Sequence, residues 1–200
     1  KTVMADIDND GIADGEVLAF AVGVAGQEIV GIGGSTAINR LDSVVDSHLN
    51  GGQFDATTDV VVSAASTTLI ESYTGGFAGA GKVAVGVAIS LNEISADVMA
   101  RVTDSYVATT TGVVRVSSKS SSKMQSLAVG GAGAGDSGAI GGGFATNDIR
   151  SDVDTVVSGS TVDAESAVEL LAQNNDQIVS LTGGGAGAKV FAVGAGVSLN

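Results

Sequence analysis

The sequence predicts an all-β fold, a repeat β-solenoid (β-helix), on three observations. The block Tyr73–Asn92 (YTGGFAGAGKVAVGVAISLN) returns as Phe20–Asn39, Ala128–Asn147 and Leu181–Asn200, so its closing asparagine recurs every 53 to 55 residues. A fixed period of that length marks units that bury their cores by stacking on their neighbours. The second half of each block alternates large and small residues with period two, the spacing of a strand. Proline, which would interrupt a hydrogen-bonded ladder, is absent.

The 200 residues divide into a partial repeat 1–16, repeats 17–69, 70–124 and 125–177, and a partial repeat 178–200. They form a single array. No atypical capping repeat is visible, so the expectation is a segment of a longer protein, or ends covered by neighbouring copies.

Each repeat opens with a strand: Leu18 to Ala25, Ile70 to Ala78, Ser126 to Gly133 and Val179 to Ala186. A glycine-rich link follows (Gly79, Ala80, Gly81), either a hairpin turn or the corner of a solenoid coil. The next strand carries Val83, Val85, Val87, Ile89 and Leu91 on one face and Ala84, Gly86, Ala88 and Ser90 on the other. Every copy keeps that second face to Gly, Ala or Ser. Glycine weakens a strand unless something requires it, and the requirement read here is a second sheet packed close on the small face. Gly34, Gly138, Gly142 and Ala195 thin the large face too, which suggests tight packing there as well.

Beyond the asparagine comes a more polar strand with apolar residues four apart, as in Val98 and Val102. Short runs follow (Val107 with Val113, Val162 with Val168), separated by turn-like stretches such as Thr57-Thr58-Asp59. The count is about four strands per 53–55-residue repeat and no helix, since frequent glycine disfavours helix by about 1 kcal/mol each. The expected path is two coils of about 27 residues per repeat. The alternative is stacked antiparallel hairpins in two tightly packed sheets.

Glycine contributes 30 residues, yet the chain is 44 % hydrophobic with mean hydropathy +0.37, which sets it apart from disordered Gly/Ser-rich sequence. The net charge of −13 argues against nucleic acid and anionic membrane surfaces. It favours solubility and cation binding. Zero cysteine excludes disulfides and thiolate metal sites. With Tyr 2, Phe 5 and Trp 0 the sequence lacks the aromatic girdles of a membrane barrel, and membrane insertion is not expected.

The sharpest chemical motif is Asp6-Ile7-Asp8-Asn9-Asp10-Gly11-Ile12-Ala13-Asp14. Alternate carboxylates converge on one side of a tight turn, Gly11 permits the bend, and the Ile12 carbonyl supplies a further oxygen. The candidate Ca2+ ligands are therefore Asp6, Asp8, Asp10, Ile12 and Asp14. Val17 stands where an EF-hand has its bidentate Glu, so the pattern resembles compact Asp-rich calcium loops of extracellular repeat proteins. Aligned with the other repeats, it reads as a lengthened turn in the place of Ser63 to Thr68 and Ala172 to Asp176.

His48, the only histidine, is read as an exposed strand residue. The glycine strings Gly130 to Gly135 and Gly183 to Gly187 lack the Lys-Ser/Thr ending of a phosphate loop. Ser117 to Lys123 (SSKSSSK), the most basic stretch, reads as a solvated turn. Asp152 and Asp154 share a strand face but have no evident acid–base partners for glycoside chemistry. Enzymatic activity is not expected, with no catalytic or organic-cofactor residues assigned; a carbohydrate-active β-helix enzyme is the alternative.

Gly75 to Asn92 (GG-x-AG-x-G…AVG-x-x-x-S-x-N) and the coils Val107 to Val116 resemble the repeats of large bacterial surface adhesins. These are the leukotoxin-like and filamentous-haemagglutinin-like proteins, including autotransporter passengers. The resemblance implies an extracellular or cell-surface protein acting in adhesion. The expected role is a structural or adhesive fibre, stalk or filament, calcium-stabilised and self-associating end to end or by strand addition. Surface glycans or other cells are its possible targets, and a passive spacer for a distant binding domain is a further alternative.

Overall fold

The computed structural model of the chain describes residues 13–200, with side chains from Gly15 onward. Chain order runs β1 (Ala13–Gln27), β2 (Val30–Asn50), β3 (Gln53–Ala56), β4 (Val60–Ala80), β5 (Val83–Thr103) and β6 (Tyr106–Thr109). It continues with β7 (Val114–Ala134), β8 (Gly138–Ser158), β9 (Thr161–Ala164), β10 (Val168–Gly187) and β11 (Phe191–Leu199). The first sheet is β1-β4-β7-β10, the second β2-β5-β8-β11, and a small third sheet is β3-β6-β9. All pairings are parallel. The chain is thus a β-solenoid, and the antiparallel-hairpin alternative does not hold.

One repeat makes one coil, not two. The strand ending at Asn92 and the polar strand after it are a single strand of 21 residues, β5. The inward–outward alternation passes through Leu91, Asn92, Glu93 and Ile94 without a break, so nothing stops the strand. The same fusion makes β4 one strand of 21 residues, in which Ser63–Thr68 lie mid-strand. Ala172–Asp176 lie within β10, and Ser117–Lys123 within β7. None of the three is a turn. Each complete coil therefore has three strands, two long and one of 4 residues.

The glycine-rich link is a coil corner. Gly81 N donates to Glu28 O at 3.1 Å and Gly135 N to Ala80 O at 3.0 Å, so the corners stack as the strands do. Corners also absorb the variation in period. The coil from Asn92 to Asn147 has four corner residues after β6, where three follow β3, and three after β7, where two follow β4.

The first and second sheets face each other along their whole length, and their two long edges close differently. At the corner edge the small face points inward: Ala84 and Ala88 are fully buried. A Cβ built on Gly23 would overlap the Gly34 carbonyl oxygen, and one on Gly76 would overlap that of Val87. The close approach expected from the sequence is real, and backbone lies against backbone. The large face points outward. Gly142 and Gly34 there meet only ordinary contacts, at 3.6 and 3.4 Å, so the tight packing expected on that face is absent.

At the opposite edge the third sheet closes the coil and the interior fills with side chains. Val62, Val98, Val102, Val107, Val114 and Val116 form one buried cluster, with Phe54 and Leu49 packed on it. A second cluster, Leu41, Ile70, Ile94 and Met124, sits nearer mid-coil. The left-handed residues Gly51, Asp104 and Gly159, with φ of 66°, 48° and 60°, turn the chain into β3, β6 and β9.

Candidate functional site

Between the two edges a polar seam runs along the solenoid axis. Asn39, Asn92 and Asn147 are register partners with buried side chains. Each amide Nδ2 donates to the Oδ1 of the next asparagine at 2.8 Å, from Asn39 to Asn92, Asn92 to Asn147 and Asn147 to Asn200. Serines flank this ladder: Ser72 Oγ lies 2.8 Å from Ser90 Oγ and accepts from Asn39 Nδ2 at 3.1 Å. A ladder of identical amides is satisfied only when coils stack in register, so it penalises slippage.

The outer faces divide the same way as the interior. Near the corner edge both sheets are apolar outside: Phe77 is 42 % and Ile140 45 % exposed, and Tyr73, Leu127 and Val129 line a shallow groove of about 300 Å³ with Phe77. Toward the valine edge the outer faces are charged. On the second sheet Arg40 pairs with Asp42 at 3.1 Å and Glu93 at 3.9 Å, Arg150 with Glu93 at 3.2 Å and with Asp148, and Arg101 with Asp46 at 2.5 Å. The hydrogen bond from Arg40 to Asp42, reinforced by the charges of Asp42 and Glu93, raises the guanidinium's pKa. Arg115, bonded to Glu169 at 2.7 Å, is raised for the same reason. Both guanidinium groups are exposed, so these pairs add little stability.

The candidate calcium ligands Asp6, Asp8, Asp10 and Ile12 lie outside the described residues. Asp14 falls in β1, within the backbone but not the side chains described. Among the described residues no three His, Cys, Asp or Glu side chains converge as a metal site. His48 stands on the outer face of β2, 55 % exposed, with Nδ1 3.6 Å from Asp46 Oδ2. Asp152 and Asp154 both lie on the outer face of β8. The glycine strings Gly130–Gly135 and Gly183–Gly187 run into β7, β10 and their corners, as repeat glycines.

The basic stretch is the feature that sequence reasoning misplaced. In β7, Ser118, Ser120 and Ser122 are buried, while Lys119 and Lys123 point outward. Polarity suggested a turn, but the placement of both lysines on one parity, with only serine on the other, was the available sign of a strand with a polar interior face. No protein-family model, curated protein or solved structure matches the chain.

Proposed function

We propose that the chain is a structural and adhesive repeat of an extracellular, bacterial-type surface protein that forms a stalk, fibre or filament. The observation that carries this reading is the in-register stack of long coils with its asparagine ladder. Each coil offers the next two long strand edges, bonded corners and an amide partner. Such an edge accepts a further coil of the same chain or, by strand addition, a coil of a second copy. Contacts are confined to neighbouring coils, so length grows with repeat number without a new core. The resemblance of Gly75–Asn92 and Val107–Val116 to adhesin repeats supports the surface location, with glycans or other cells as targets.

The same reading assigns Ca2+ to the loop Asp6–Asp14, as a local clamp that occurs once in the chain. Negative-stain electron microscopy with calcium and with a chelator tests both parts. Rods that lengthen with protein concentration support self-association, and their loss in chelator supports the clamp. Rods of one fixed length in both conditions would reduce the chain to a passive spacer. Calorimetric titration with Ca2+, comparing the natural chain with Asp8→Asn/Asp10→Asn, isolates the loop from the assembly question.

A further inference from the structure

We infer that the outer face of the first sheet docks on the outer face of the second sheet of another copy, side by side with coil axes parallel and glycine edges together. This lateral contact rests on the reading of the chain as a structural rod, but differs from end-to-end growth. Its first support is charge. On the first sheet's outer face Arg115 is paired with Glu169, while Lys119 and Lys123 make no ion pair among the described residues. On the second sheet's outer face every arginine is paired, while Asp97, Asp152 and Asp154 make no ion pair among the described residues. Asp97 and Asp152 are moreover register partners, two carboxylates side by side. Glu16 and Glu71, also without an ion pair among the described residues, lie on the first sheet's outer face nearer the corner edge than Lys119. The first sheet's positive excess is therefore local to Lys119, opposite in sign to the second sheet's excess at Asp97, Asp152 and Asp154.

The second support is position. Counted from the corner edge, Lys119 is the sixteenth residue of β7, whose last residue is Ala134. Asp152 and Asp154 are the fifteenth and seventeenth of β8, which starts at Gly138, and Asp97 is the fifteenth of β5. Lys123 is the twelfth, and Glu93 and Asp148 are the eleventh of their strands. Laying the two faces together with corner edges aligned therefore brings Lys119 over the three free carboxylates. It also brings Tyr73, Phe77 and Leu127 over Val87, Ile89 and Phe144, apolar on apolar.

The third support is area. A face of four strands up to 21 residues long covers about 1,300 Å² at about 3.3 Å per residue and 4.8 Å per strand. That exceeds the roughly 800 Å² per partner of a stable interface. Pairing like faces would set carboxylates on carboxylates or lysines on lysines, so the contact is heterologous. It therefore propagates into a bundle of rods instead of closing as a dimer.

Sedimentation velocity across concentration tests this with two outward-facing charge reversals, Lys119→Asp/Lys123→Asp and Asp152→Lys/Asp154→Lys, each checked by circular dichroism and thermal melting. Each variant alone is expected to self-associate at least about tenfold more weakly than the natural chain. A one-to-one mixture is expected to recover the natural affinity, because each variant's first-sheet face then meets a complementary second-sheet face. Unchanged self-association in either variant, or a mixture that fails to recover, would overturn the proposal. So would flotation of the natural chain and both variants with neutral phosphatidylcholine vesicles in place of self-association, since the apolar halves would then be binding lipid. Electron micrographs separate the two readings. Rods that lengthen but never bundle leave strand addition standing and sink the lateral contact; rods of fixed length that bundle do the reverse.

Discussion

The two long edges of the solenoid solve one closure problem in opposite ways. At the corner edge the sheets meet through glycine and alanine, with carbonyl oxygens of one sheet against Cα atoms of the other. At the opposite edge the third sheet holds them apart, and valine side chains fill the gap. The corner edge buries little side-chain area for hydrophobic burial to act on. Its large apolar side chains are outside, where Val83 remains 39 % exposed. The valine edge is a conventional core. One coil can therefore be intolerant of added volume at one edge and of removed volume at the other.

The sharpest way to break the comparison is Gly86→Val. A Cβ at Gly86 would overlap the Gly131 carbonyl oxygen and stand 2.8 Å from that of Gly76. Backbone cannot escape by changing rotamer, so the expected loss is about 4 kcal/mol or more. Gly79→Ala, on the same edge but with nothing within 4 Å, is expected to change stability by less than about 1 kcal/mol. Urea denaturation of the two variants checks both. Equal losses would mean that the edge is governed by glycine's flexibility and not by close approach.

Removing volume from the other side comes next. Ile94 is fully buried beside Ile70 and Met124, and Ile94→Ala is expected to lose about 3 kcal/mol through the lost transfer energy and the cavity left behind. A loss below about 1 kcal/mol in the same urea series would show that the sheets collapse onto the void, and the two edges would then differ less than their packing implies.

These contrasts explain what the sequence made legible. The period, the all-β class and the small-residue face were readable because each is a local pattern: recurrence, alternation, and Gly, Ala or Ser at every second position. Two properties were not. Strand length was hidden because a change in polarity at Glu93 or Ser117 looks like an end, whereas the backbone ladder continues while both faces keep their parity. The direction of the large face was hidden because hydrophobicity argues that Val85 and Ile89 belong inside. Only the facing backbone, brought back across the corner so that Gly23 meets Gly34 and Gly76 meets Val87, reverses that preference. Of the candidate site, the calcium loop was readable as a motif. The free charges of Lys119 and Asp152 were not, because a missing partner is a property of the assembled sheet.

The seam between the edges allows an intermediate test. Asn92 lies two residues from Ile94 on the same inward face, so Asn92→Ala probes polar where Ile94→Ala probes apolar packing. It removes the bonds to Asn39 and Asn147, both at 2.8 Å, and one to Ser90 at 3.0 Å. Asn39 keeps Ser72 as an acceptor, which limits the damage to about 2 kcal/mol. Hydrogen exchange should show the loss concentrated in the coils on either side, because the ladder joins neighbours only. Uniform loss of protection across all coils would mean that the stack unfolds as one unit.

The smallest expected effect lies at the turn into the third sheet, where Asp104 takes the left-handed conformation (φ 48°) that Gly51 and Gly159 take in the neighbouring coils. An L-residue with a Cβ is disfavoured there by about 1 kcal/mol, less for Asp than for most. Asp104→Gly removes that strain but loosens the unfolded chain, and the two effects oppose each other. The expected result is a change within about 1 kcal/mol, read as a shift of a few degrees in Tm. The reverse substitution, Gly159→Ala, is not its mirror image. A Cβ at Gly159 would meet only the end of the Asp104 side chain, which can turn away, so the left-handed φ of 60° supplies the cost, a destabilisation of about 1 kcal/mol. If Asp104→Gly instead destabilised strongly, the Asp104 side chain lying over Gly159 would be holding the corners together, and the valine edge would depend on its turns as well as on its core.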